Sequence, residues 1–577
     1  MRSLLKYLKN YLKESILAPL FKMLEASFEL LVPLVMTAII DIGIANSDKS
    51  YIFKMVVVLF SLAAVGFISA VTAQYFAAKA AIGFGRELRS DLFRHINTLS
   101  YSEIDSIGTS TLITRLTADV NQVQTAVNLF LRLFLRSPFV VIGAMIMAFT
   151  IDVRTALIFA VTIPLLTAVV FGIMFGSVPI FKKVQSKLDA VLKSTRENLS
   201  GARVVRAFAR EEQEKRDFDE RTDELKKAQL KGGRITSFLN PVTYVIINTA
   251  IVLIIYVGGK RVDSGALSQG QVVALINYMS QILVELIKLA NLTLNLTRSV
   301  ASGSRISAVF AVEPSVTDGA GVCETDEGEY AVEFKNVSAI YKGSNEKSLN
   351  GLNIKIPRGA TVGIIGSTGS GKTTLVNLIP RFYDASEGEI LVNGADVRDY
   401  KLDELRSIVG VVPQYAELVS GTVAENVRWG KADATDEEVE EALRIAQADG
   451  FVREKDGGIN YLLTRGGKNL SGGQRQRLTI ARALVRRPEI LILDDSASAL
   501  DYATDAALRK AVKASSADMT VFIVSQRAST IRNADIIIVL DDGEVAGTGR
   551  HDELIKSCEV YREICLSQLS AREVASV

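Results

Sequence analysis

The sequence predicts an all-α transmembrane domain of six spans with long helical extensions, followed by an α/β domain built on a phosphate-binding loop. Three observations predict this fold class. Long apolar runs without charge crowd roughly the first 300 residues, and short β-rich segments alternate with helical ones further on. A chain of 577 residues also exceeds the size of one compact domain.

Composition excludes several functional classes. Lys and Arg number 66 against 64 Asp and Glu, so bulk charge does not favour binding to nucleic acid. An apolar content of 48% with 23% charged residues excludes disorder for most of the length. Three cysteines and two histidines are too few for a disulfide framework and form no zinc-binding spacing. His95 and His551 lie in polar stretches, so their side chains are expected to be solvated.

Six membrane spans are expected. Three runs are free of charge for 24 residues or more, enough to cross about 30 Å of hydrocarbon: Met55 to Ala78, Thr155 to Phe181 and Ile235 to Gly259. Three further spans carry charges: Ser15 to Ile40, Leu129 to Thr150 and Leu267 to Leu296. The alternative, buried helices of a soluble protein, is disfavoured by the loop charges.

Basic residues mark one side of these spans. The segment between Lys182 and Arg234 holds fifteen Lys and Arg, whereas the short alternate loops hold few. The positive-inside rule then places both termini in the cytoplasm. The basic loops exceed any turn requirement and have helical patterns, with Gly108 and Gly201 as expected breaks, so two helical hairpins should project from the membrane.

The domain boundary is expected after the last span. Residues 1–315 form the predicted membrane domain, residues 316–330 a Gly- and acid-rich linker, and residues 331–577 the α/β domain. The segments YAVEFKNV, TVGIIG, GEILVNG, IVGVVPQ, EILILDD, TVFIVSQ and IIIVLDDGEV read as strands of a largely parallel core sheet.

A phosphate-binding loop follows the second of these strands. The motif GxxxxGK[ST] stands between an apolar strand and a helix, where its glycines let backbone N–H groups converge on phosphate oxygens. Lys372 supplies a cation for the β- and γ-phosphates, and the Thr373 hydroxyl can ligate Mg²⁺. We therefore expect ATP and Mg²⁺ at this loop, which comprises Gly366, Ser367, Thr368, Gly369, Ser370, Gly371, Lys372, Thr373 and Thr374.

Two more motifs complete a recognisable set. Asp494 ends the apolar strand ILIL and can hold the magnesium. Between it and the loop stands Leu470-Ser-Gly-Gly-Gln474. With six spans before one such domain, the whole chain resembles the ATP-binding cassette (ABC) exporters, as a half-transporter.

The resemblance implies further roles. Tyr341 matches the aromatic that stacks on adenine, and Gln414 the glutamine that touches Mg²⁺ and relays nucleotide state. Residues Ser471, Gly472, Gly473 and Gln474 match the signature that binds the γ-phosphate of ATP held by the opposite cassette. The segments Ser106 to Leu112 and Asn198 to Phe208 match the coupling helices.

Two departures from the family pattern concern catalysis. Asp495 stands where the family usually has a glutamate as general base, and Gln526 where it usually has a histidine. Asp495 is shorter by about 1.5 Å, although proton abstraction requires heavy atoms within roughly 3.2 Å. Gln526 donates a hydrogen bond but carries no positive charge. The site is expected to bind ATP and hydrolyse it poorly, like the degenerate subunit of a bacterial heterodimeric multidrug exporter.

The resemblance therefore predicts ATP-driven export of small hydrophobic compounds across a bacterial cytoplasmic membrane, with a different half-transporter and membrane lipid as partners. A lipid flippase and a nucleotide-gated regulator or channel remain alternatives, whereas the spans argue against a soluble repair or translation protein. Glu25, Glu29 and Glu285 are expected to pair with lysines in their own helices, or else to line a polar cavity. Asp41 is expected as an interfacial acid, with gating as the alternative.

Overall fold

The computed structural model describes residues 2–321, 328–344, 346–496, 498–515 and 518–568. Part of the predicted linker, residues 322–327, therefore lies outside the described residues. Contacts divide the chain into two compact units, residues 1–97 with 110–311 and residues 98–109 with 312–577. Residues 98–109 thus belong with the second unit, although the sequence places them between two membrane spans.

The first unit is helical. Its elements, with α3 of the second unit included for chain order, are α1 (Leu12–Ala38), α2 (Lys49–Thr98), α3 (Tyr101–Ile107), α4 (Thr109–Thr114), α5 (Val120–Leu133), α6 (Arg136–Ile151), α7 (Val153–Ser200), α8 (Ala202–Ala207), α9 (Glu211–Ser237), α10 (Leu239–Asp263) and α11 (Gln269–Phe310).

Within the described residues, six helical stretches are long and apolar enough to cross a membrane. They are Leu4–Ile44, Lys49–Thr98, Thr109–Ile151, Val153–Ser200, Glu211–Asp263 and Gln269–Phe310. The prediction of six spans is confirmed, including the three that carry charges. With 50 residues, α2 measures about 75 Å at 1.5 Å per residue, far more than a bilayer requires.

The predicted helix breaks are also confirmed. Gly108 follows α3 with a positive φ of 82°, and Gly201 separates α7 from α8. At another junction the side chain of Asp152 accepts a hydrogen bond from the Thr155 N–H at 2.9 Å and so caps the start of α7.

Side chains of α1, α6, α7, α10 and α11 form the main apolar cluster of the first unit. Phe159, Ile254 and Tyr278 are fully buried in it. The Tyr278 hydroxyl donates to the Leu30 carbonyl oxygen at 2.7 Å, which satisfies a polar group that lipid cannot.

Ion pairs of the Arg136 side chain connect α6 to α1 and α11. Lys22 pairs with Glu25 at 2.5 Å and Lys288 with Glu285 at 2.8 Å, so the predicted pairing within helices is confirmed for these two acids. For Glu29 the prediction is wrong, because its carboxylate pairs with Arg136 on α6. The sequence interpretation missed Arg136, whose guanidinium donates to Glu285 and, at 2.6 Å, to Glu29. Its side chain is only 7% exposed, so these acids form a buried network across α1, α6 and α11.

Asp41 has a local structural role. Its carboxylate accepts hydrogen bonds from the Ser268 hydroxyl and from the Gly270 N–H, the latter at 2.8 Å. These residues begin α11, whose first turn also has a capping box between Ser268 and Gln271. Asp41 therefore anchors the end of the first span to the start of the last.

The second unit is an α/β domain. Its remaining helices are α12 (Lys372–Leu378), α13 (Leu402–Ile408), α14 (Val423–Arg428), α15 (Asp436–Ile445), α16 (Asp449–Arg453), α17 (Gly472–Leu484), α18 (Tyr502–Ser515), α19 (Ala528–Ile531), α20 (His551–Ser557) and α21 (Glu559–Gln568). Its strands are β1 (Tyr330–Ala339), β2 (Leu349–Pro357), β3 (Thr361–Gly366), β4 (Glu387–Val392), β5 (Ala395–Asp396), β6 (Val409–Val412), β7 (Gly421–Thr422), β8 (Leu462–Leu463), β9 (Ile490–Asp494), β10 (Thr520–Val524), β11 (Ile536–Asp541) and β12 (Glu544–Gly549).

In the described part of this unit, the core sheet has six strands in the order β12-β11-β3-β10-β9-β6. The strands from β11 to β6 are parallel, which confirms the predicted core. A second sheet, β2-β1-β4-β5, is antiparallel. The segments YAVEFKNV and GEILVNG belong to this second sheet.

Three further details differ from the expectation. The run IIIVLDDGEV is a hairpin of β11 and β12, because Asp542 and Gly543 both have positive φ and form its turn. Strand β2 was not anticipated, although its buried and exposed residues alternate over part of its length. His551, expected to be solvated, is 5% exposed and its Nδ1 lies 2.8 Å from the Tyr561 hydroxyl.

Candidate nucleotide site

The phosphate loop links β3 to α12, as its sequence predicts. Gly371 precedes α12 with a φ of 90°, and a Cβ there would lie 2.5 Å from the Ser348 carbonyl oxygen. At Gly366 a Cβ would lie 2.1 Å from the Leu540 carbonyl oxygen. Only glycine fits these two positions, so the loop backbone is held tightly against β11 and the residues before β2.

Lys372 is the first residue of α12 and is almost fully buried. Its ammonium donates to the carbonyl oxygens of Ser367 at 2.6 Å and Gly366 at 3.0 Å, and lies 3.3 Å from the Ser370 hydroxyl. Burial lowers the pKa of Lys372, and the nearby carboxylates of Asp495 and Asp494 oppose that shift. The cation is thus positioned by the loop itself.

Asp494 and Thr373 meet where β9 ends beside α12. The Thr373 hydroxyl donates to Asp494 Oδ1 at 3.2 Å. Burial raises the pKa of Asp494, with the hydrogen bond from Thr373 opposing and the Asp495 carboxylate adding to the shift. A hydroxyl, a carboxylate and the amide oxygen of Gln414 are hard oxygen donors, and these three residues fit a magnesium ion bound together with a nucleotide.

Asp495 follows directly in a backbone conformation unusual for aspartate. Its φ is 44°, and its N–H donates to the Val524 carbonyl oxygen at 3.0 Å, which holds the strand end in place. The Gln414 amide donates to Asp495 Oδ2 at 3.4 Å. Burial raises the pKa of Asp495, and the Gln414 hydrogen bond opposes it.

One cavity of about 350 Å³ brings most of the predicted site residues together. Thr368, Gly369, Gly371, Lys372, Thr373, Thr374, Gln414, Asp494, Asp495, Gln526 and Tyr341 all line it. Ser348, Val524 and Ser525 also line it and were missed by the sequence interpretation. Ser525 could have been predicted from the sequence, because it directly follows a buried parallel strand. Ligands bind at the carboxyl ends of the strands in such sheets.

The signature residues lie apart from this cavity. Ser471 caps α17: its hydroxyl accepts from the Gln474 N–H at 3.3 Å, and the Gln474 side chain accepts from the Ser471 N–H at 3.0 Å. Ser471 and Gly472 are exposed. The free N–H groups of this 13-residue helix and its dipole form a surface suited to an anion.

Helix α3, whose last two residues belong to the first predicted coupling segment, packs beside the adenine-stacking candidate. The Tyr383 hydroxyl donates to Asp105 Oδ2 at 2.9 Å, and the Tyr383 ring meets that of Tyr341 edge-on at 5.1 Å. Burial raises the pKa of Tyr383, and its bond to Asp105 adds to the shift. The Tyr341 hydroxyl lies 3.0 Å from Thr374 Oγ1, so these contacts run from α3 to the phosphate-loop helix.

Glu103 strengthens the same contact. It is fully buried, accepts hydrogen bonds from Ser315 and lies 3.6 Å from the Lys342 ammonium. Burial opposes its ionisation, but the Ser315 hydrogen bonds hold the pKa of Glu103 below its ordinary value. The second predicted coupling segment, Asn198 to Phe208, contains α8 and lies in the first unit.

A phosphate loop, a strand-end aspartate and a helix-capping signature on this sheet define an ATP-binding cassette, here in one chain with six membrane-spanning helices. The ABC transporter transmembrane region matches residues 15–286, and the ABC transporter domain matches residues 349–498. A full-length relative, an uncharacterized ABC transporter ATP-binding protein of Mycobacterium tuberculosis, is 36% identical over 99% of both chains. The chain belongs to the ABC transporter family.

Two other relatives have functional names. An ATP-dependent lipid A-core flippase of Desulfotalea psychrophila is 33% identical over 82% of each chain. A putative multidrug export ATP-binding/permease protein of Bacillus subtilis is 32% identical over 98% of each. The fold is similar to that of a bacterial Atm1-family ABC exporter with ATP bound, with a TM-score of 0.79, 22% identity and coverage of 97% of this chain and 99% of that chain. This chain is an ABC exporter whose cassette couples ATP hydrolysis to transport, in a class that works as dimers.

Proposed function

We propose that this chain is one half of an ATP-driven exporter of hydrophobic or amphipathic compounds, and that its partner is a different half-transporter. The proposed domains are 1–315, 316–330 and 331–577, in a bacterial cytoplasmic membrane with both termini on the cytoplasmic side. The relative named as a multidrug exporter supports the export class and is similar over nearly the whole length.

One observation carries the heterodimer proposal: the nucleotide cavity has Asp495 and Gln526 in place of the usual glutamate and histidine. The Asp495 carboxylate is shorter and is engaged by Gln414. Gln526 supplies no positive charge to a γ-phosphate. Lys372, Thr373 and Asp494 retain the ammonium, hydroxyl and carboxylate groups that bind ATP and magnesium. The cavity therefore binds nucleotide and hydrolyses it slowly.

The signature supports the other half of the proposal. Residues 471–474 are intact and form the N-cap and first turn of a regular helix, with Ser471 and Gly472 exposed. In a homodimer they would face two impaired sites. With a partner that has the glutamate and histidine, they complete one competent site, and ATP held by this chain regulates the cycle.

Vanadate trapping with a photoreactive ATP analogue tests the proposal on the assembled transporter. The expected result is trapped label on the partner's phosphate loop and little at Lys372 and Thr373. Equal trapping at both loops contradicts it. So does hydrolysis on the order of 1 to 10 per second by a stable homodimer of this chain alone. ATP binding without any substrate-stimulated hydrolysis in the assembly would instead identify a nucleotide-gated regulator.

A further inference from the structure

The last described helix, α21, contacts the loop that carries Gln526. Gln568, at the end of α21, donates from its side-chain amide to the Gln526 carbonyl oxygen at 2.7 Å. The side-chain oxygen of Gln568 accepts from the Ala528 N–H at 2.9 Å. One side chain therefore bridges two backbone groups that lie 42 and 40 residues away in the chain.

The loop between β10 and α19 is held from both ends. Toward β10, the Ser525 N–H donates to the Ile364 carbonyl oxygen at 3.0 Å, and the Arg527 N–H donates to the Ser525 hydroxyl at 3.0 Å. Toward α19, Arg527 is the N-cap residue, but its own side chain forms no capping hydrogen bond. Gln568 supplies the acceptor instead, because Ala528 is the first residue of α19.

The Gln526 side chain lines the nucleotide cavity while its backbone is held in this way. β10 lies between β3 and β9 in the core sheet, so Gln526 stands beside the strand end that carries Asp494 and Asp495. Lys372, which is expected at the β- and γ-phosphates, lines the same cavity. Gln526 is therefore placed for the γ-phosphate, which ATP has and ADP lacks.

We propose that Gln568 is a positioning residue for ATP binding, whose two hydrogen bonds hold the loop in the conformation that presents the Gln526 amide to the γ-phosphate. Gln568 does not line the cavity and acts through Gln526. The position of α21 is thereby coupled to the presence of the γ-phosphate. This role rests on the proposed binding of ATP in this cavity, and not on the identity of the partner.

A role of Gln568 in stability alone would have different consequences. α21 is also packed through the buried Tyr561, whose hydroxyl lies 2.8 Å from His551 Nδ1. Loss of that contact destabilises the helix without removing a hydrogen bond to the loop. Loss of the Gln568 side chain removes both hydrogen bonds to the loop but no buried group, because this side chain is exposed. The two kinds of variant therefore separate stability from positioning.

The test measures the ATP and ADP affinities of this chain in the assembled full-length transporter. Each nucleotide competes on ice with photoreactive azido-ATP for labelling of this chain's phosphate loop. Gln568→Ala should weaken ATP binding about tenfold, equivalent to one hydrogen bond to a charged phosphate, and ADP binding less than about twofold. Gln526→Ala should show the same selective loss, and the double variant should lose no more than either single variant.

An isosteric variant and a matched control sharpen the test. Gln568→Glu keeps the acceptor for the Ala528 N–H but places a carboxylate oxygen against the Gln526 carbonyl oxygen. It should lose at least as much ATP affinity as the alanine variant. Ser567→Ala is the control on the same helix, because the Ser567 hydroxyl donates to the Ile564 carbonyl oxygen within α21 at 2.8 Å. It should leave both affinities unchanged.

Two further measurements distinguish positioning from stability. Tyr561→Phe should lower thermal stability and leave the ratio of ATP to ADP affinity unchanged. Hydrogen exchange in residues 525–531 should become faster in Gln568→Ala, because the Ala528 N–H loses its acceptor. ATP should slow exchange in α21 of the wild type but not of Gln526→Ala, because coupling between two sites is reciprocal.

Several results would overturn the proposal. Equal loss of ATP and ADP affinity in Gln568→Ala, or the same selective loss in Tyr561→Phe, would indicate a structural role only. Additive losses in the double variant would mean that Gln568 does not act through Gln526. Absence of ATP binding by the wild type contradicts the proposed function and this role with it, whereas ATP binding that is unaffected by Gln568→Ala contradicts this role alone.

Discussion

The nucleotide cavity and the Arg136 network both concentrate charge away from water, but they use it differently. In the cavity, Lys372, Asp494 and Asp495 surround open space and are only partly compensated by one another. In the network, Arg136 is paired directly with Glu29 and Glu285. Charges that await a ligand and charges that satisfy each other can look alike in sequence, and only their partners distinguish them.

This comparison predicts that breaking the network affects folding more than chemistry. Arg136→Met should lower the free energy of unfolding by about 3 kcal/mol, because it removes the buried cation that pairs with Glu29 and Glu285. The Glu285 carboxylate then retains the ion pair with Lys288 alone among the described residues. Thermal unfolding and yield in detergent measure the effect. Arg132→Met, one turn earlier and without an ion pair among the described residues, is the control and should cost little. Adding Glu285→Gln should restore much of the loss, and strict additivity would contradict the pairing.

A change in the signature should affect ATP hydrolysis more than folding. Ser471→Arg should reduce the ATPase activity of the assembled transporter about 100-fold, because charge and bulk occupy the place of the partner's γ-phosphate. Unfolding should change by no more than the loss of one helix cap, about 1 kcal/mol. Ser471→Thr retains the cap and should retain activity. The corresponding change in the partner should cost less, and an equal or larger loss there would contradict the proposed division of labour.

A smaller effect is expected where the cassette meets α3. Tyr383→Phe removes the hydrogen bond to Asp105, worth about 1 kcal/mol, while the ring contact with Tyr341 remains. Transport per ATP hydrolysed should fall severalfold, with ATP binding unchanged. Tyr400→Phe is matched, because its buried hydroxyl donates to the Val392 carbonyl oxygen at 2.8 Å and does not contact α3. Equal loss of coupling in both variants would indicate destabilisation only.

The smallest effect is expected at the impaired base. Asp495→Ala should change total ATPase activity less than threefold, under about 0.7 kcal/mol, because this chain's own cavity contributes little turnover. Replacing the partner's catalytic glutamate should cost several times more. Steady-state hydrolysis by the two single variants measures the difference. A larger loss from Asp495→Ala would mean that this carboxylate serves as an effective base.

The local motifs could be predicted from the sequence because the residues that interact within each of them are close in the chain. The phosphate loop, the helix that it starts and the pairing of Ser471 with Gln474 depend on a few consecutive residues. The hairpin of β11 and β12 could also have been predicted, because Asp542 and Gly543 form a residue pair that is favoured in two-residue hairpin turns. His551 was misjudged because its polar neighbours in sequence are not its neighbours in space.

The sequence by itself determined the class of this protein: six spans from hydropathy, an α/β cassette from its strand pattern, and a phosphate loop from glycine spacing. Only the tertiary structure decided which charges are satisfied. Arg136 meets Glu29 and Glu285 across 107 and 149 residues, and Tyr383 meets Asp105 across 278. Such pairs depend on the rotation and relative height of whole helices, which side-chain packing sets and a local pattern does not contain.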